Sequence, residues 1–491
     1  MIDRRHYRWT ELWLLLLPSL FLLIGLLALE IVHTQPVAIN QKTLPTLDVF
    51  TPAFGLIAAL LATHIMLNIV APDADQTLLP IAGMLSSIGV LEATRLGPDE
   101  GQPSLGSKQL VFVIVGLALC VLTVWLTQKR LRWLSDYKYI WALIGIALVG
   151  VTIAHAHSFS ASAPGRDVLT IGSGGLSIQP SELLKICLVI FFAAYLSENS
   201  QVLANGGFRL GPVVFPPLKQ LGPLLAMLAV ALLIFVFVHE LGLAILIFGV
   251  FLAMVFAGTN RLSYVLSGLV AFGAFAYIYY QTIQGYARLR VDLVAVAFQP
   301  QYATNQGYQI VQGLIAFGSG GIFGVGLGLG RPAFVPAATT DYIAAAFAEE
   351  FGFAGLLAMI GLFMVLLYRG MNIANRARDP FSQLMAIGLT SIFALQTLVI
   401  LAGNLKILPL TGVPLPFVAY GGSSLVANFI IIGLLLRLSQ SSLADRQRRR
   451  ETRDEINQFQ PPAPANGAAP AKWPTADARQ PKGTRAPAGR P

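Results

Sequence analysis

Charge is scarce in this chain: Asp, Glu, Lys and Arg make up 12% of its 491 residues, against 55% hydrophobic residues. That is too little charge to coat a soluble globule of this length, so the composition describes a polytopic membrane protein. Cysteine is scarcer still. Cys120 and Cys187 each fall inside an apolar run, which excludes a disulfide framework and gives no metal-ligand spacing; both read as packing residues. No Gly-x-x-x-x-Gly-Lys-[Ser/Thr] phosphate loop occurs, so no nucleotide is expected. Nothing suggests a β-barrel, and no internal repeat of the inverted-transporter kind is visible. The first apolar run lacks a convincing small-residue cleavage site and reads as a retained first span.

What the chain has instead is apolar runs of about 20 residues, the length that crosses a ~30 Å hydrocarbon layer as helix. Twelve transmembrane helices are expected, near 12–31, 51–71, 77–94, 109–127, 139–154, 181–197, 221–238, 241–258, 263–283, 351–368, 381–402 and 416–438. The fold class is thus all-α. Placing the amino terminus in the cytoplasm puts Arg4, Arg5, Arg8, Lys129, Arg130, Arg132, Lys138, Arg209, Lys219, Arg261, Arg369, Arg376 and Arg378 on the inner face. The net charge of +9 therefore reflects topology and the tail, with no nucleic-acid partner. Both termini then lie in the cytoplasm, and a large loop, 284–350, is extracytoplasmic. Three regions follow: an amino-terminal pair of spans (1–76), a core (77–438) and a basic, Pro- and Ala-rich tail (439–491) expected to be disordered, its basic start able to touch anionic membrane lipids.

Ionisable groups in or beside membrane helices are costly, and this marks the candidate chemistry. Glu182 and Lys185 open the sixth span in QPSELLK, three apart on one helical face, as a local ion pair or as substrate ligands. Glu240 in HELG breaks the long apolar run 221–258, read as a tight hairpin, and a cation such as Lys185 is a plausible partner. In the large loop, Arg288 and Arg290 stand where guanidinium groups could meet lipid-linked phosphates, or anchor at the interface. Gln309 and Gln312 share a face of an amphipathic helix expected on the membrane surface. The glycine ladder GSGGIFGVGLGLG permits tight turns and close backbone approach. Thr339 or Thr340 is expected to cap a helix, with Asp341 near its positive end; a lone aspartate there is more often a cap than a catalyst. Ser423 and Ser424 in YGGSS open the last span as candidate substrate contacts or as packing residues.

Taken in order, QPSELLK, HELGLAIL, GYQIVQGLIAFGSGGIFGVGLGLG, PAATTDYIAAAFAEEFG and LPLTGVPLPFVAYGGSS closely resemble the SEDS family (shape, elongation, division and sporulation), over roughly residues 77–438. The resemblance implies a ten-span core, here preceded by two extra spans as in some elongation-type members. It also implies a bacterial cell-membrane glycosyltransferase that polymerises lipid II beside a class B penicillin-binding transpeptidase. The family's essential extracytoplasmic aspartate maps onto Asp341. Arg288, Arg290, Lys185 or a divalent cation, Mg2+ or Mn2+, would meet the diphosphate. Three departures stand out: Val238-His239-Glu240 replaces the usual Gln-Pro-Asp, the tryptophan common upstream of QPSE is missing, with Val168-Leu169 in that region, and Tyr342 replaces the more usual Phe. A lipid II flippase and a noncatalytic cell-wall scaffold are the alternatives in other functional classes.

Overall fold

The computed structural model describes residues 7–33, 47–128, 131–156, 169–171, 176–205, 208–210, 213–215, 218–238, 241–282 and 286–458. Residues 1–444 form one compact unit and 445–491 a second; the architecture and site below belong to the first. The amino-terminal pair comprises α1 (Trp9–Leu14) and α2 (Leu16–His33), which together make one apolar span, and α3 (Thr51–Val70). The core follows with α4 (Leu78–Leu96), α5 (Leu105–Thr127), the short α6 (Arg132–Asp136), α7 (Lys138–Ala156), α8 (Ser181–Asn205), α9 (Leu218–Val238), α10 (Leu241–Thr259) and α11 (Leu262–Thr282). The large loop holds α12 (Tyr286–Val296), α13 (Pro300–Ala303) and α14 (Tyr308–Ser319), and the chain closes with α15 (Ile343–Arg376), α16 (Pro380–Asn404) and α17 (Gly422–Gln458).

Nine described segments are long and apolar enough to cross a membrane. With α4 and the shorter apolar stretches of α7 and α9, they occupy the twelve expected positions. The protein is a multi-pass membrane protein of helical class. Two short antiparallel hairpins were not anticipated: β1 (Leu169–Ile171) with β2 (Leu176–Ile178), and β3 (Phe208–Leu210) with β4 (Val213–Phe215). The last helix also continues to Gln458, past the composition change at Ser439.

Helix α4 lies at the centre. All its residues except Met84 and Thr94 are buried, and it packs against α2, α5 and α15. Helices α8, α10 and α16 form a second packed group, with α15 against α16. Close approach is set by small residues: a Cβ on Gly89 would lie 2.6 Å from the Val418 carbonyl oxygen.

The amino-terminal pair is fastened by Arg8, which the charge pattern had placed among inner-face loop cations. It is instead fully buried. Its guanidinium donates to the carbonyls of Ala71 and Ala74, both at 2.9 Å, and Asp75 at 3.0 Å, and it pairs with Glu11. Glu11 also meets His64 Nδ1 at 2.7 Å. A buried charge needs such partners, and three carbonyls beyond the end of α3 supply them.

The large loop is folded, not open. Helix α14 buries Ile310, Gly313 and Ala316, and packs on α15. Helix α15 begins at Ile343, earlier than the expected span start at 351, and is broken at Gly352, where φ is 70° and ψ −175°. The glycine ladder runs beside this break: Val325 and Gly326 amides donate to the Glu349 and Glu350 carbonyls at 3.0 and 3.1 Å, and Phe353 and Ala354 amides donate to Gly321 and Ile322 at 2.9 Å. At this separation a side chain has no room. A Cβ on Gly352 would lie 2.2 Å from the Gly324 nitrogen. Gly352→Ala is therefore expected to cost at least about 1–2 kcal/mol in stability, while Gly361→Ala, with open space around it, leaves the thermal midpoint of purified protein nearly unchanged.

Candidate active site

Two carboxylates hold the loop that leads to Asp341. The Gly328 amide donates to Glu350 Oε2 at 2.9 Å and the Arg331 amide to Glu349 Oε1 at 3.1 Å. Arg95, at the end of α4, pairs with Glu350 at 3.0 Å and with Asp99 at 2.7 Å, and donates to the Gly330 carbonyl at 3.3 Å. The Val325, Gly326, Gly328 and Arg331 amides are thus consumed by residues 349 and 350. The ladder is a structural clasp. Glu92, fully buried nearby on α4, has no hydrogen-bond partner for either oxygen among the described residues. Glu92 and Arg95, ionisable groups on an apolar helix, carry a signal of their own in the sequence, the cost of charge within a membrane span.

Asp341 sits on the turn between this clasp and α15. The expected threonine cap is not made: α15 starts from Tyr342, with no side-chain cap. Thr339 turns elsewhere because a carboxylate is available. Its amide donates to Glu100 at 3.2 Å and its hydroxyl approaches both Glu100 oxygens, at 3.0 and 2.9 Å. The carbonyl side of the turn is held by four other donors. Gln309 Nε2 donates to Pro336 O at 3.0 Å, the Tyr342 amide to Ala337 O at 3.1 Å, the Tyr420 amide to Thr339 O at 2.8 Å, and Asn404 Nδ2 to Asp341 O at 2.7 Å. Ala337 adopts φ 55°, an uncommon value for a residue other than glycine. Behind the turn is a cavity of about 160 Å3 lined in part by Leu96, Asp99, Glu100, Pro332, Val335 and Ala337.

The Asp341 carboxyl is half-buried. Burial raises its pKa above the ordinary aspartate range, and the nearby Arg290 guanidinium pulls it back part-way. Arg290 also lies beside Gly412. Arg288 is engaged otherwise: it is 3.9 Å from Asp292 and stacks over the Tyr280 ring at 4.9 Å. The buried Tyr342 ring lies against Gly313, and its hydroxyl has no hydrogen-bond partner among the described residues.

Glu182 and Lys185 form the local pair, 2.7 Å apart and fully buried. Lys185 Nζ also donates to Gln396 Oε1 at 3.3 Å, and Gln396 Nε2 to Pro414 O at 2.8 Å. The Gln179 amide donates to Ser423 Oγ at 2.8 Å, whereas Ser424 Oγ is buried with no partner among the described residues. Gln312 is half-buried on α14. Glu240 and His239 lie outside the described residues; the helices on either side end at Val238 and resume at Leu241. The segment 404–424 links these parts. Asn404 holds Asp341, Gly412 abuts Arg290, Pro414 receives Gln396, Tyr420 holds Thr339 and Ser423 receives Gln179.

The family model described as cell cycle protein, covering FtsW, RodA and SpoVE, matches residues 74–443. The chain belongs to the FtsW/RodA/SpoVE family. The peptidoglycan glycosyltransferase RodA of Mycobacterium tuberculosis is 36% identical over 387 residues, 78% of this chain and 81% of that protein. A probable peptidoglycan glycosyltransferase FtsW of Geobacter metallireducens is 31% identical over 336 residues, 68% of this chain and 84% of that one. Among solved structures, a chain described under the structural coordination of polymerization and crosslinking by a peptidoglycan synthase complex shares the fold, with TM-score 0.59 and 23% identity over 75% of this chain and 98% of that chain. The FtsW/RodA/SpoVE match begins just before α4 and takes in every element of the site described above.

Among the described residues, no group of three or more His, Cys, Asp and Glu side chains is placed to hold a metal ion. A Mg2+ or Mn2+ ion held mainly by the oxygens of a substrate diphosphate would need no such cage.

The buried ion pair gives a stability test. Lys185→Met, leaving Glu182 buried without its cation, is expected to cost about 3–5 kcal/mol. The double variant Glu182→Leu/Lys185→Met should recover much of that loss in thermal unfolding of the purified protein.

Proposed function

We propose that this chain, a peptidoglycan glycosyltransferase of the FtsW/RodA/SpoVE family, polymerises lipid II at the Asp341 turn, with Asp341 as general base. The observation that carries this reading is one half-buried carboxylate beside one guanidinium, Arg290, on a turn held by groups from several elements.

A lipid-linked sugar diphosphate is already activated. Transfer requires removal of a proton from the incoming hydroxyl and stabilisation of the departing diphosphate. Asp341 accepts the proton of the acceptor GlcNAc 4-hydroxyl as that oxygen bonds to the donor MurNAc anomeric carbon. The bond from that carbon to the diphosphate oxygen breaks, its electron pair leaves with the diphosphate, and the configuration inverts to β. Arg290 meets the developing charge. A raised pKa makes Asp341 a stronger base than an exposed aspartate. Arg288, Gln309, Gln312, Ser423 and Ser424 are proposed contacts around this centre. Glu182 and Lys185 support it from below through Gln396 and Pro414, and a divalent cation, where bound, adds positive charge at the diphosphate.

The orientation that fits is a cytoplasmic amino terminus with 284–350 outside, supported by the Lys and Arg distribution. A class B penicillin-binding transpeptidase is the proposed partner, supported by the family resemblance and by the shared fold with a chain of a peptidoglycan synthase complex. A flippase would need buried charges such as Glu182, Lys185 and Glu240 to form a polar track; mutual pairing of the first two weakens that alternative.

Asp341→Asn is expected to lower lipid II polymerisation by about 10²- to 10⁴-fold, at unchanged membrane abundance, measured as glycan strands from purified protein. Retention of activity would sink the general-base assignment. The acid limb of the kcat profile should lie above the ordinary aspartate range, because protonation inactivates the base and burial raises its pKa. Arg290→Gln removes the charge that lowers this pKa, so the limb should move to still higher pH.

A further inference from the structure

Asp341 has to be held at hydrogen-bonding reach of an acceptor hydroxyl, and the turn that carries it has an unusual mounting. On one side, side-chain or backbone donors from α14, α16 and the approach to α17 grip the carbonyls of residues 336, 339 and 341. On the opposite side residues 336–338 line a partly open cavity of about 160 Å3, together with Leu96, Asp99, Glu100, Pro332 and Val335. There the Thr339 amide and hydroxyl are gathered by a single carboxylate, Glu100, across three contacts of 3.2, 3.0 and 2.9 Å. Thr339 is buried, while Glu100 projects from the exposed connection between α4 and α5. The Ala337 backbone at φ 55° stores strain in the same turn.

From this geometry we infer that Glu100 is a positioning residue for Asp341, acting through Thr339. The inference rests on the reading of Asp341 as general base. A charge-assisted hydrogen bond to a partly exposed carboxylate adds only modestly to global stability, since water competes for both partners. Its local effect is larger. With a cavity behind the turn and strain within it, loss of the Glu100 contacts lets residues 337–341 relax towards the void. The Asp341 carboxylate then moves relative to a hydroxyl that must lie at about 2.6–3.2 Å. Glu100 itself touches no reacting atom; it sets where the base stands. The connection between α4 and α5 thereby has a direct mechanical link to the catalytic turn, whereas the sequence gives Glu100 no motif.

The test is a cycle on the full-length protein in lipid II polymerisation: Glu100→Ala, Thr339→Val, their double variant, Glu100→Gln and Thr339→Ser, with Asp341→Asn in parallel. Glu100→Ala and Thr339→Val should each lower kcat by about 10- to 100-fold with KM changed less than about two-fold, as a misplaced base predicts. The double variant should be no worse than either single, because both remove the same contact. Thr339→Ser, which keeps the hydroxyl, should restore most activity, and Glu100→Gln, which keeps an acceptor without the charge, should fall between. The acid limb should keep its midpoint. Multiplying losses in the double variant, an unchanged kcat in Glu100→Ala, or a shifted midpoint would each overturn positioning. A loss explained by less folded protein, read from thermal midpoints of the Gln and Ser variants, would overturn it as well. Activity in Asp341→Asn would refute the base assignment alone, and the cycle would still report whether Glu100 and Thr339 act as one unit.

Discussion

A pair of adjacent glutamates holds the glycine ladder to the broken helix α15. Helix α15 cannot continue through Gly352, and a broken helix in a low-dielectric setting leaves amides and carbonyls in want of partners. Glu349 and Glu350 meet that need twice over. Their backbone carbonyls pair with the glycine ladder, and their side chains take the Gly328 and Arg331 amides. Arg95 then balances the charge from α4. Because the Asp341 turn lies between the ladder and the first turn of α15, the clasp fixes both of its ends.

The opposite wall is built from one irregular stretch. Residues 405–421 run between α16 and α17 without forming a helix, and with Asn404 and Ser423 at the adjoining helix ends their polar groups are distributed among the surrounding elements. Irregular backbone at this depth is stable only where its groups are met by protein, and Gln179, Arg290, Thr339, Asp341 and Gln396 are the groups it meets. A chain of local pairings thus extends from the buried Glu182–Lys185 pair through Gln396 and Pro414 to the segment that holds the turn bearing Asp341.

The membrane class and the positions of the twelve helices were legible because apolar run length is itself the physical requirement. The Glu182–Lys185 pair was legible for a similar reason: two charges three apart on a membrane helix have one economical arrangement. The clasp was not. Glycines announce close approach without naming what approaches, and Glu349 and Glu350 lie some twenty residues from the amides they serve. Thr339 was read as a cap from its local sequence; Glu100, distant in sequence, competes for it and wins. Asn404 and Gln396 sit at or within an apolar span, and the cost of burying amides there was a usable signal that the reading left aside.

Helix α4 has a consequence for how the protein sits in lipid. It is less apolar than any of the nine long spans and carries Glu92 and Arg95, yet it ends almost wholly surrounded by other helices. A charged side chain costs about 2.5–3.5 kcal/mol to insert at the centre of a membrane helix on scales measured at the translocon, and less near its end. Such a segment is poorly suited to face lipid on its own. Packed against α2, α5 and α15, α4 has protein around its charges in place of lipid, and the amino-terminal pair supplies part of the wall that this helix requires.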